Sequence, residues 1–312
     1  MHDFKKLFPD AEFVCVAHTD TWHECRLNGI TSSQAASLYG CGFQTRLDVW
    51  AQKTGAIPPE DIGKNEYVRW GNLLEPVIAA EYQKRTGSTI LKAPGLFKNK
   101  KHPLLLSTPD YIIMGDDRGP GILEIKTTSA WNKSGWSRDC PIAYEVQINH
   151  QMVTMGAEWG VLCCLVGGQE MVAVDKQMDV PFGNAMIEDI EGFWEKNVLG
   201  GERPAAECAR SGETLFKLYP RDDGKIITPT AGLNRLIAID LGVSEKMETI
   251  KKLTKEVKVG KAKIKDAIGD NLGVALPGAT WTWSSYSYPE KKVPEHTQPS
   301  KNVRILRRKA AK

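Results

Sequence analysis

The stretch Leu104 to Lys126, LLLSTPDYIIMGDDRGPGILEIK, constrains this chain more than any other. Two apolar, partly β-branched arms, Leu104 to Ile113 and Ile122 to Thr127, flank a turn rich in glycine, aspartate and proline, the pattern of one hairpin. Strand side chains alternate faces. Glu124 and Lys126 therefore project together while Leu123 and Ile125 point to the opposite, buried side, and Asp110 comes across from the first arm. Two carboxylates beside a backbone carbonyl suit Mg²⁺, which prefers oxygen ligands and keeps waters for a substrate phosphate. A neighbouring lysine can orient or help deprotonate a water and offset charge developing on a phosphodiester. A surface hairpin whose Glu124 and Lys126 merely pair across solvent would show the same short pattern.

With 312 residues and 41% hydrophobic content the chain can bury a full core, and the expected division is a domain over residues 1–208 with a basic extension over 209–312. The net charge of +3 conceals an asymmetry: residues 1–208 carry 20 Lys+Arg against 27 Asp+Glu, and residues 209–312 carry 21 against 11. The basic third, ending Arg304-Ile305-Leu306-Arg307-Arg308-Lys309, suits a polyanion or an acidic surface, or is a solvated tail. Seven cysteines without a Cys-x-x-Cys pair argue against a disulfide framework or zinc ribbon and read as buried thiols. No segment is apolar enough to span a membrane and the amino end lacks a secretory signal, so a cytoplasmic location is expected.

Residues 3–20 read as a lead-in without periodicity. At Thr31-Ser32-Ser33 a helix is expected, with Ser33 at its cap and Arg26 just upstream; together they could hold a terminal phosphate, or be a capped helix beside a surface arginine. A second helix is expected over 44–55. A longer one, over 67–86, carries an apolar face of Val68, Leu73, Leu74, Val77, Ile78 and Tyr82, beside which Glu75 is either functional or simply exposed. After a Trp-bearing loop at 128–140, residues 142–156 read as a helix with Tyr144 and Gln147 on one face. Strands at 159–166 and 171–174 and a helix at 183–197 follow, so the order indicates a mixed sheet with helices on its faces. Residues 203–230 read as a connector, then 233–241 and 246–268 as two helices, the second with an apolar stripe for packing. In Thr280 to Tyr288, Trp281 and Trp283 share a strand face, with Tyr286 and Tyr288 out of phase across a bulge.

Together these segments resemble the lambda exonuclease family of the PD-(D/E)xK nucleases, including the YqaJ-like viral recombinase domain. The resemblance lies in Trp22 to Ser33, in Trp70-Gly71 with Glu75, in Thr108-Pro109-Asp110 with Glu124-Ile125-Lys126, and in Ala143-Tyr144 with Gln147, over about residues 20 to 205. It implies an α/β, restriction-endonuclease-like fold with a mixed central sheet flanked by helices. It also implies a 5′-to-3′ exonuclease on linear double-stranded DNA, with Mg²⁺ (Mn²⁺ as a substitute) held by Asp110, Glu124 and the Ile125 carbonyl. Lys126 would act on the water, with Gln147, Glu75 and Tyr144 completing the site. Arg26 and Ser33 would bind the 5′ phosphate, and Val68 would stand where relatives split the duplex end. The family further implies a ring-shaped homotrimer, a single-strand annealing partner and a phage or prophage setting in a bacterial cell. An endonuclease on the same core and a non-catalytic DNA-binding scaffold are the alternatives.

Overall fold

Strand-forming runs and capping residues divide the chain into α1 (Phe4–Leu7), β1 (Ala11–Val16), α2 (Asp20–Cys25), β2 (Ile30–Thr31), α3 (Ser32–Leu38), α4 (Arg46–Lys53), α5 (Glu66–Thr86), β3 (Thr89–Lys92), β4 (Gly95–Asn99), β5 (Leu105–Ser107), β6 (Tyr111–Met114), β7 (Gly121–Thr128), α6 (Ile142–Met155), β8 (Trp159–Val166), β9 (Glu170–Gln177), α7 (Val180–Phe193), α8 (Ser211–Leu218), α9 (Leu233–Ile268), β10 (Gly273–Leu276) and β11 (Ala279–Thr282). The computed structural model describes residues 4–58, 65–137, 139–227, 232–277 and 279–283, in two compact units that divide between Pro220 and Arg221. Tyr286, Tyr288 and the tail at 304–309 lie outside the described residues.

The first unit holds a five-stranded mixed sheet in the order β3-β6-β7-β8-β9, in which only β7 and β8 run parallel. A parallel pair needs a crossover, and α6 supplies it. Alternation along β7 then assigns its faces. Ile122 packs with Ile148, Met152 and Met155 of α6, whereas Leu123 and Ile125 pack with Ile78, Ala79 and Tyr82 of α5. This is the mixed sheet with helices on its faces that the order of elements predicts. A second, four-stranded sheet, β1-β4-β5-β2, was not anticipated. Its first strand lies in the region read as a lead-in, because Ala11 to Val16 is buried irregularly and β1 carries a register shift between Phe13 and Cys15.

Several boundaries depart from expectation. The first arm of the hairpin is not one strand: β5 belongs to the four-stranded sheet and β6 to the five-stranded one, with Thr108-Pro109-Asp110 between them. Proline has no ladder donor and ends the run. The β6–β7 turn uses Gly115 at φ 81 and Gly119 at φ 85, a conformation open mainly to glycine. On α5 the buried side is narrower than the apolar pattern suggested, with Ile78, Ala79 and Tyr82 covered while Leu73 and Val77 are exposed. The Trp-bearing loop contains a 3-10 helix, Ala130–Trp136, which buries Trp136 and leaves Trp131 exposed. The cap of α3 is Thr31, in a capping box with Gln34, so Ser33 lies inside the first turn and is exposed. Cys208 is exposed rather than a buried thiol.

The 203–230 connector contains α8, whose Thr214 bonds to Asp48 of α4, while Arg210 just before it donates to the Gly42 and Phe43 carbonyls. In the second unit the two expected helices are one. α9 runs unbroken for 36 residues through Gly242, and Met247, Ile250, Leu253 and Val257 are exposed along it. β10 and β11 pair antiparallel, and Trp281 and Trp283 are partly exposed.

His150 of α6 is fully buried; its Nδ1 lies 3.0 Å from Ser32 Oγ and 3.3 Å from Thr154 Oγ1. Burial pushes its pKa down to about 3. An unfolded histidine titrates near 6.5, so protonation favours the unfolded chain. Stability is therefore full above about pH 6.5 and falls as pH drops towards 3, by about 1.4 kcal/mol per pH unit from this group. Denaturation midpoints between pH 4.5 and 7 should show that slope, and His150→Asn should flatten it.

Candidate active site

Period-two alternation places Glu124 and Lys126 on the α6 face of β7, as the sequence predicts, but buries Glu124 to 3% exposure. A buried carboxylate needs donors, and three reach it. Lys126 Nζ lies 2.5 Å from Oε1, Gln147 Nε2 donates to Oε1 at 2.6 Å, and Gln151 Nε2 donates to Oε2 at 2.7 Å. Gln147 and Gln151 are one helical turn apart and so share a face of α6. The resemblance placed Gln147 in the site without a partner; the structure gives it to Glu124. Gln151 was missed, although its spacing of four from Gln147 is a signal that could have found it.

Asp110, released from strand geometry by Pro109, reaches across so that its Oδ2 accepts the Ile125 N–H at 2.8 Å. Its other oxygen has no hydrogen bond among the described residues. Burial first, and then the charge of Glu124 with a smaller contribution from Glu75, push its pKa well above the usual carboxylate range, while Lys126 and the Ile125 N–H oppose the shift. For Lys126, burial alone would favour loss of the proton, but attraction to Glu124 and Asp110 outweighs it, and the pKa is raised. Its Nζ also lies 5.1 Å from the ring centroid of Tyr144, which α6 places beside it. Lys126 is thus held as an ammonium by the carboxylates around it.

The donor set fits a hard divalent cation of the Mg²⁺ type. Among the described residues no three His, Cys, Asp or Glu side chains gather closely enough to hold a metal unaided. Mg²⁺ does not require them, since it is commonly held by one or two carboxylates and completes its octahedron with water and substrate oxygens. The free Asp110 oxygen and its raised pKa are what a bound cation would relieve.

The remaining predicted residues are more dispersed. Glu75 pairs with Lys92 of β3 from the α5 side of the sheet, and Lys92 in turn lies 4.7 Å from the Tyr111 ring centroid. Val68 is half-buried in the first turn of α5, between exposed Tyr67 and Trp70. Arg26 opens a short 3-10 turn, Arg26–Asn28, with its guanidinium 4.2 Å from the Trp22 ring centroid. Trp22 Nε1 donates to Thr108 Oγ1 at 3.1 Å, so one indole joins the Arg26 region to the segment that carries Asp110. Ser33 Oγ lies 3.3 Å from Thr31 Oγ1.

Against known proteins, residues 21–158 match the YqaJ-like viral recombinase domain. Over that span, somewhat under half of its length, the chain is similar to this family. That span contains Arg26, Ser33, Glu75, Asp110, Glu124, Lys126, Gln147 and Gln151, and stops before β8. The uncharacterized protein YqaJ of Bacillus subtilis is 29% identical over 244 residues, covering 76% of this chain and 75% of its own length. Among solved structures, an alkaline exonuclease from Laribacter hongkongensis is similar over 63% of this chain and 100% of its own, at 19% identity and a TM-score of 0.48. A phage-related exonuclease from Haemophilus somnus is similar over 56% and 96%, at 11% identity and a TM-score of 0.40.

Removing one member of a buried ion pair leaves the other uncompensated. Lys126→Met should lower unfolding stability by roughly 3–5 kcal/mol, and adding Glu124→Gln, which removes the uncompensated charge but keeps a polar partner for Gln147 and Gln151, should recover part of it, as read from urea denaturation.

Proposed function

We propose that this chain is a Mg²⁺-dependent exonuclease that degrades the 5′-ended strand of linear double-stranded DNA and leaves a 3′ single strand for recombination by annealing. The observation that supports it is the meeting of Asp110, Glu124 and Lys126, with Gln147 and Gln151 fixing Glu124 from behind. A YqaJ-like viral recombinase domain is a natural setting for such a reaction.

Asp110, Glu124 and the Ile125 carbonyl would hold Mg²⁺, which when bound supplies Lewis-acid activation of a water and of the phosphodiester. Lys126, carried as an ammonium, offsets the negative charge that grows on the phosphoryl oxygens as water attacks. The two glutamines keep Glu124 from rotating, so its orientation is set before substrate arrives. Tyr144 confines the lysine, and Glu75, with Lys92, adjusts the charge felt by Asp110. Arg26 and Ser33 bind the 5′ phosphate and register the next bond, and Val68 stands at the duplex end. The same proposal includes a homotrimer around the duplex, a single-strand annealing protein as partner, and action in the bacterial cytoplasm on phage or prophage DNA.

Digestion of matched duplexes tests the proposal. With Mg²⁺, a 5′-phosphorylated linear duplex should lose one strand while its complement survives and a covalently closed circle stays intact; chelator should stop the reaction. Cutting of the circle would mean an endonuclease, and no digestion would mean a binding role. Lys126→Met should slow digestion on the order of a hundredfold or more. Mg²⁺ should also raise the melting temperature of the wild-type chain and not that of Asp110→Asn, since ligand binding to the folded state stabilises it.

A further inference from the structure

Next to Arg26 lies a second cation that the proposed reaction has not used. Lys53, at the last turn of α4, turns inward and donates from Nζ to the Arg26 carbonyl oxygen at 2.6 Å. Both side chains are partly buried. Among the described residues neither meets a carboxylate: no ion pair or side-chain acceptor engages the Arg26 guanidinium, and the carbonyl is the acceptor for Lys53. The Trp22 ring lies against the guanidinium.

Two partly buried cations drawn together, without an anion among the described residues, cost free energy that a fold has no reason to bear unless something returns it. Elsewhere in the same unit a half-buried cation is matched: Lys176 meets Asp139 and Glu145. The electrostatics agree. Burial, and then the like charge of Arg26, push the Lys53 ammonium down to about 7, while burial also lowers Arg26. An anion between them would reverse both effects.

Resting on the terminal-phosphate reading of Arg26 given above, we propose that Lys53 is a further direct ligand of that phosphate monoester, making the site a two-cation one. An ammonium has three donors and Lys53 has spent one, while the planar guanidinium keeps its fork free for paired hydrogen bonds to phosphate oxygens. The charge decides between the two sources of phosphate on a nucleic acid. A monoester carries about −1.5 to −2 near neutral pH, which two cations match, whereas an internal diester carries a single charge. The site is joined to the carboxylate cluster through Trp22, which touches Arg26 with its ring and Thr108, two residues before Asp110, with its N–H. The terminal phosphate at Arg26 and its identification with a DNA 5′ end rest on the nuclease reading; the part played by Lys53 rests on its place beside Arg26.

Binding without metal separates this inference from that reading, because no turnover is needed. Equilibrium binding of a short duplex with and without a 5′ phosphate, in chelator, would be compared for the full chain and for Lys53→Met, Lys53→Gln and Lys53→Arg, each checked for folding by its thermal melt. The wild-type chain should prefer the phosphorylated end by at least about tenfold; Met and Gln should lose most of that ratio, and Arg should keep it. An unchanged ratio in folded Met and Gln variants would remove Lys53 from the site. Equal binding of both ends by the wild-type chain, or equal weakening of both by the variants, would overturn the monoester in favour of an internal phosphate. In parallel, inorganic phosphate should raise the melting temperature of the wild-type chain more than that of Lys53→Gln, and equal shifts would count against the site. Failure of the nuclease reading would show separately, as loss of digestion with end discrimination intact.

Discussion

A carboxylate held out of water is the constraint on which the site depends. Glu124 stands at 3% exposure in the middle of β7, and its charge is tolerable only because Lys126, Gln147 and Gln151 satisfy it. The lysine is provided by strand alternation and the glutamines by a helical turn. The β7–α6–β8 crossover brings these two periodicities together. Asp110 joins by a different route, through a break in secondary structure at Pro109, and its one main-chain contact to Ile125 leaves the other oxygen available. One carboxylate is fixed by many donors and the other is kept open by few.

The same economy appears at the amino-terminal side. Trp22 is 9% exposed and packs with Cys15, Leu96 and Leu106, yet both its ring face and its N–H serve polar neighbours. It stacks a guanidinium on one side and pins Thr108 on the other. The Arg26 guanidinium and the segment that carries Asp110 are therefore referred to one rigid aromatic plane rather than to a loop.

Much of this was legible because it rests on local rules. The alternation of Leu123, Glu124, Ile125 and Lys126 gave the correct faces, and α5 ends at Thr86, where it was expected to, capped by Gly87 at φ 72. The failures were of a different kind. β1 and β2 are short edge segments whose pairing partners, β4 and β5, are remote in sequence, so no local period announces them. The break expected between 241 and 246 does not occur: the single Gly242 costs a helix only about 1 kcal/mol, and α9 continues through it. Nothing in the sequence marks Lys53, because the absence of a counter-charge is a property of three-dimensional surroundings. The fate of Gln151 was half-visible: its face could be read, its partner could not.

α6 has a consequence for how the site comes into being. It packs against β4 and β5 of one sheet, β7 and β8 of the other, and α3 and α7 besides. Along it, Gln147 and Gln151 serve the carboxylate while His150 between them meets Ser32 at the head of α3. A chain in which either sheet has opened cannot keep this helix in register. The cluster therefore exists only in the globally folded unit, and a partly unfolded or nascent chain would carry scattered carboxylates instead of a weakened version of the site.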